Sequence, residues 1–137
     1  MQHDIRWKQR CQNFTRAMVL LREPIERDVT TLTNLEKEGT VQRFEFAVEL
    51  ACKTIKDYLE HEGQVIAPVT PRNVIKMAFA AKILRDGQAW IDMLDHRNLL
   101  AHTYDEVTFD QALLAIRDRY HPALEELHLW LMEHNLE

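Results

Sequence analysis

Residues 41–60, VQRFEFAVELACKTIKDYLE, place Val41, Phe44, Val48, Cys52, Ile55 and Leu59 at steps of three and four residues. A helix of about 3.6 residues per turn gathers such positions on one face, whereas a strand would need strict alternation. The stretch therefore predicts a long helix with one buried stripe, closed by Gly63. The same spacing recurs on both sides of it, so the chain is read as a set of helices that bury these stripes against one another.

Upstream, Trp7, Cys11, Phe14, Met18 and Leu21 repeat the pattern and predict a first helix from about Asp4 to Pro24, where proline should end it. The segment DVTTLTNLEKEGT is mixed in character and predicts a short helical turn and a loop. Downstream, Thr70 and Pro71 in APVTPRNV form a cap and a first helical position, leading a third helix to about Arg85. A fourth helix is predicted from RDGQAW through Trp90 to about His102. Thr108 and Gln111 suggest a capping box for the last helix, whose inner face carries Phe109, Leu113, Ile116, Tyr120, Leu124, Leu127 and Leu131, and which Pro122 should bend. Together these elements predict one all-α domain over residues 1–137, an antiparallel up-and-down bundle of four to five helices.

Composition narrows the functional classes. With 46% apolar and 28% charged residues the chain has the balance of a folded globule, and no apolar run reaches the roughly 20 residues of a membrane span. The opening MQHDIRWKQR is charged and has no apolar centre, which does not fit a secretory signal, so a cytoplasmic location is expected. Cys11 and Cys52 occupy helix-face positions without metal spacing and read as reduced, buried thiols. A net charge of −5 argues against binding nucleic acid by general attraction and leaves room only for a local site. The chain has no serine and its three glycines stand apart, which excludes Ser-based triads and glycine-rich phosphate loops.

The local site is sought in DHRNLLAHTYDE, residues 95–106. Following the apolar stripe of the fourth helix through Trp90, Met93 and Leu94, the next inward slot holds Arg97, and the one after holds Leu100 and Ala101. A buried guanidinium needs a carboxylate partner or a cleft. Asn98 and His102 are four apart and share a face, with Arg97 about 100° away around the helix. One reading is an ion pair, a surface amide and a cation suited to the helix C-terminus. The other is RNA cleavage without metal or cofactor, in which histidine moves protons near neutral pH and arginine holds the charge that develops on the phosphoryl oxygens. Because the attacking group would be the RNA 2′-hydroxyl, DNA would be spared.

RNLLAH matches the R-x4-H motif of HEPN domains, and RNLLAHTY extends it to R-x4-H-x-Y. With RWKQRCQNFTRA, LEKEGTVQRFEFAVELACKTIKDYLE, TPRNVIKMAF and DGQAWIDMLDHRNLLAHTYDE in that order, nearly the whole chain resembles the HEPN family of nucleotidyltransferase substrate-binding proteins. The resemblance implies a homodimer in which two motif helices face each other across a cleft, and a separately encoded minimal nucleotidyltransferase as partner. It implies an RNase toxin with Arg97 and His102 catalytic and Asn98 supporting them. Tyr104 would be the residue that the partner adenylylates to switch the toxin off, by adding bulk and negative charge beside the cleft. The alternatives are a non-catalytic subunit that presents a nucleotide or other substrate to the transferase, with Arg97 and His102 as phosphate ligands, and an oligomeric scaffold.

Two features depart from the pattern: Cys52 stands where the family favours a large aromatic, and Asp92, Asp95, Asp105 and Glu106 surround the motif with negative charge. Weaker candidates for phosphate or partner contact are Arg43 and Glu45 in QRFEF, and Arg72 and Lys76 in a third helix whose basic strip continues to Lys82 and Arg85. Asp92 and His96 share a helix face but lack a third ligand, so no metal is expected.

Overall fold

The computed structural model describes the backbone of residues 2–103 and 105–135, and side chains over 5–103 and 105–134. The order is α1 (Gln2–Ile25), a 3₁₀ turn (Val29–Thr31), α2 (Asn34–His61), α3 (Pro71–Ala80), α4 (Gly87–Leu100), α5 (Glu106–Ala115), a π turn (Ile116–Tyr120) and α6 (His121–Asn135). Counting α5, the π turn and α6 as one interrupted element gives the predicted five-helix, antiparallel bundle.

The long pair α1 and α2 forms the spine, and each predicted stripe is buried in one contiguous core. Trp7, Cys11, Phe14, Met18 and Leu21 meet Val41, Phe44, Val48, Ile55 and Leu59, with Leu113, Ile116, Tyr120, Leu124, Leu127 and Leu131 closing the other side. Trp90, Met93 and Leu94 bring α4 into the same core. Phe109 is only partly buried at the rim. Cys11 and Cys52 are free and buried, and loss of hydration pushes their thiols up to about 11 and about 12, so neither is a nucleophile at neutral pH.

Local chemistry moves several predicted boundaries. α2 starts before Val41 because Thr33 and Glu36 form a reciprocal capping box, so most of LTNLEKEGT is helix and only Val29–Thr31 remains a turn. Pro24 lies inside the last turn of α1 instead of ending it. Thr70 caps α3 and Pro71 opens it as predicted, but α3 stops at Ala80 and Lys82 adopts φ 64°, which puts Lys82 and Arg85 outside the helix. The last helix is capped by Asp105, whose carboxylate accepts from Thr108 N–H, so Thr108 is the third helical residue and not the cap.

Pro122 does interrupt the last helix, and the interruption takes a defined form. Proline lacks an N–H and its ring crowds the carbonyl four residues back, so an extra residue is accommodated in the turn before it. The His121 N–H reaches back five residues to the Ile116 carbonyl, the wide-turn bond of a π helix. This turn brings Tyr120 into the core beside α2 and α4.

Candidate functional site: the end of α4 against α2

Asp86 caps α4 by accepting from Ala89 N–H, and the helix closes at Leu100, with Ala101 as its C-cap. His102 therefore lies one turn-residue beyond the helix instead of within it, its N–H donating to the Leu99 carbonyl at 3.1 Å. Ala101, predicted to continue the apolar stripe, is exposed. The motif so occupies the C-terminal, electronegative end of a helix, where arginine and histidine cations are favoured.

Arg97 points from α4 toward α2 and is half-buried. Its charge acts on Glu45, Glu49 and Cys52, three residues on one face of α2. Among the described residues it makes no ion pair or hydrogen bond, and its link to α2 is coulombic. Glu45 is also half-buried, and loss of hydration raises its carboxyl above the usual range while Arg97 pulls it back down. Glu49 is held below its usual range, first by its bond to Lys53 Nζ at 2.9 Å. Asn98 and His102 are exposed at the same end of α4. Arg97 and Glu45 are thus brought together, Asn98 and His102 lie on the adjoining surface, and Tyr104 lies outside the described residues.

The other weak candidates are elsewhere. Arg43 donates to the Leu20 carbonyl at 2.8 Å and lines a largely apolar groove of about 360 Å³ between α1 and α2, with Arg16, Leu20, Phe46 and Leu50. Arg72 pairs with Asp95 at 2.7 Å and ties α3 to α4, while Lys76 is exposed on α3. The basic strip is therefore not a continuous phosphate track: Arg72 is engaged, and Arg85 sits 3.5 Å from Glu126.

The acids around the motif also have local work. Asp92 accepts from Gln88 and Arg119, Asp95 from Arg72, and Asp105 caps α5. Asp92 and Asp95 are thus paired within the chain. His96 Nδ1 shares a hydrogen bond with Tyr120 Oη, and no group of three metal-ligating side chains is assembled among the described residues.

Sequence reasoning missed Glu49 beside Arg97, and it missed the contact of His96 with Tyr120. A trace of the latter was present: the inner positions Ile116, Tyr120 and Leu124 are two successive steps of four that straddle Pro122, and a wide turn is accommodated just ahead of a proline.

A helical bundle that carries the R-x4-H motif at the end of one helix has the fold and motif of a HEPN domain. Residues 9–133 match the family described as "Nucleotidyltransferase substrate binding protein like", and the chain belongs to that family. It is 30% identical over 71 residues to a protein named probable ribonuclease HepT from Haemophilus influenzae, a match spanning 50% of this chain and 49% of that relative. A crystal structure of a Thermus thermophilus protein superposes with a TM-score of 0.74 at 29% identity, covering 83% of this chain and 94% of that one. No helix among the described residues is long and apolar enough to cross a membrane.

Proposed function

We propose that the protein is a metal-independent endoribonuclease of the HEPN type, restrained by a separately encoded nucleotidyltransferase. The observation that carries this reading is Arg97: a half-buried cation with no ion-pair partner among the described residues, beside Glu45 and next to the exposed His102. An arginine kept for stability would be expected to be paired, since a desolvated, unpaired charge costs free energy. One left without an ion pair is available to a phosphate. The name of the Haemophilus relative supports the same activity.

In this mechanism the RNA 2′-hydroxyl attacks the adjacent phosphorus, the P–O5′ bond breaks, and a 2′,3′-cyclic phosphate and a 5′-hydroxyl result. His102 moves the proton, as base to the 2′-hydroxyl or as acid to the leaving oxygen. Arg97 stabilises the charge on the non-bridging oxygens, and Asn98 orients the phosphate or the imidazole. A second copy of the chain would supply a matching motif helix across the cleft. Adenylylation of Tyr104 by the partner would place a bulky anion two residues from His102 and exclude the substrate phosphate.

The second reading, a subunit that presents a nucleotide to the transferase without cleaving RNA, is favoured by the description of the matched family. It uses the same Arg97 and His102 as phosphate ligands. The deciding experiment incubates purified protein with total RNA and with DNA in the presence of a chelator, alongside His102→Ala. RNA cleavage lost in the variant, with DNA intact, supports the nuclease. An inert wild type that binds nucleotide through Arg97 supports the presenting subunit.

A further inference from the structure

Beyond Leu94, α4 has little hydrophobic anchorage. Of residues 95–102 only Leu100 is buried, while Asp95, Asn98, Leu99, Ala101 and His102 are exposed. The exposed Arg72–Asp95 pair adds little, because such pairs are screened and entropically costly. Among the described residues the other contact that fastens it is part-buried and polar: Tyr120 Oη and His96 Nδ1 share a hydrogen bond of 2.6 Å, with their rings edge to face at 5.4 Å.

Tyr120 is 2% exposed, and its ring also stacks on Phe44 at a centroid distance of 5.8 Å. Phe44 immediately precedes Glu45 on α2, and His96 immediately precedes Arg97 on α4. A single side chain from the π turn therefore touches the sequence neighbours of both Arg97 and Glu45.

We propose that Tyr120 is a positioning residue: through its hydroxyl bond to His96 and its stack on Phe44 it sets the orientation of the last turn of α4, and so places Arg97 against Glu45. The π turn gives the device its cause, since Tyr120 sits at its end, just ahead of Pro122. π turns recur at functional sites because the extra residue re-aims one side chain while leaving the helix continuous. The consequence for activity rests on the cleavage reading above; the mechanical tie does not.

The test compares Tyr120→Phe, His96→Leu and His96→Asn with the wild type by two measurements. Tyr120→Phe keeps the ring stack and removes only the hydroxyl, and His96→Asn keeps a polar atom near the position of Nδ1. Amide hydrogen exchange over residues 97–101 is expected to quicken about three- to tenfold in Tyr120→Phe and His96→Leu, the size of one net hydrogen bond, with α1 unchanged and His96→Asn restored toward wild type. RNA cleavage should fall by a similar factor in kcat, with KM unchanged, in the same order of variants. Unchanged exchange at 97–101 overturns the tie, and equal quickening in α1 overturns it too, by showing general destabilisation. Quickened exchange with unaltered kcat overturns the positioning role. If the wild type cleaves no RNA, the nuclease reading fails, while the exchange data still decide the tie.

Discussion

The spine of α1 and α2 and the end of α4 are built on opposite terms. Along the spine, Phe14, Met18, Leu21, Phe44, Val48 and Ile55 are wholly buried, and burial of apolar area supplies the stability. At the end of α4 one leucine is buried, a cation has no ion-pair partner among the described residues, and a tyrosine–histidine hydrogen bond joins the helix to the π turn. Stability is thus concentrated where the helices meet, and the groups proposed to act on RNA are placed where little of it is at stake. That separation lets a site carry residues that a core would reject.

The largest effect expected from the contrast is on activity. His102→Ala should lower RNA cleavage by about 10²- to 10⁴-fold, measured on an oligonucleotide substrate, while the thermal midpoint stays at the wild-type value because the ring is exposed. Phe14→Ala should do the reverse. It opens a cavity in the spine and costs about 3–5 kcal/mol in denaturant unfolding, with the residual folded protein still active.

Arg97→Met sharpens the comparison at the border between the two regions. A guanidinium that reaches Glu45 and Glu49 only through coulombic attraction, with no ion pair or hydrogen bond among the described residues, contributes little, so stability should change by no more than about 0.5 kcal/mol while cleavage or nucleotide binding is lost. A loss of several kcal/mol would show instead that Arg97 belongs to the structural half.

A smaller effect tests the start of α2: Thr33→Ala removes the capping box and should cost about 1 kcal/mol, read from the unfolding midpoint. The smallest concerns pH. His128, between α1 and α6, is held below the usual histidine range by burial, with Glu125 opposing the shift. Thr15 Oγ1 already donates its proton to the Cys11 carbonyl, so it accepts from His128 Nε2, 2.9 Å away. Because the folded form is the weaker base, the unfolded chain takes up the proton first as pH falls. Stability should therefore decline below about pH 6.5 and level off once the folded histidine also protonates. His128→Gln should flatten that slope, as followed by thermal unfolding across the range.

Much of the bundle was legible in the sequence because helix formation and burial are periodic. The stripes in α1, α2 and the last helix are read residue by residue from their spacing, and Thr70–Pro71 announces α3 by its own cap chemistry. Boundaries were less legible where two local signals compete. Thr33 with Glu36 outweighed the polar character of LTNLEKEGT, and Asp105 took the capping role that Thr108 and Gln111 suggested.

The site divides in the same way. The sequence by itself determined that an arginine interrupts an apolar stripe and that an asparagine and a histidine follow it, because these depend only on residue order and helical period. It also determined the family, through motif blocks that run along nearly the whole chain. Only the tertiary structure decided that Arg97 faces Glu45 and Glu49 instead of pairing with an acid on its own helix. It alone decided that Asp92 and Asp95 are taken up by Arg119 and Arg72, and that Tyr120 reaches His96. These contacts join residues 23 to 52 positions apart, and no local rule constrains which side chains meet across packed helices.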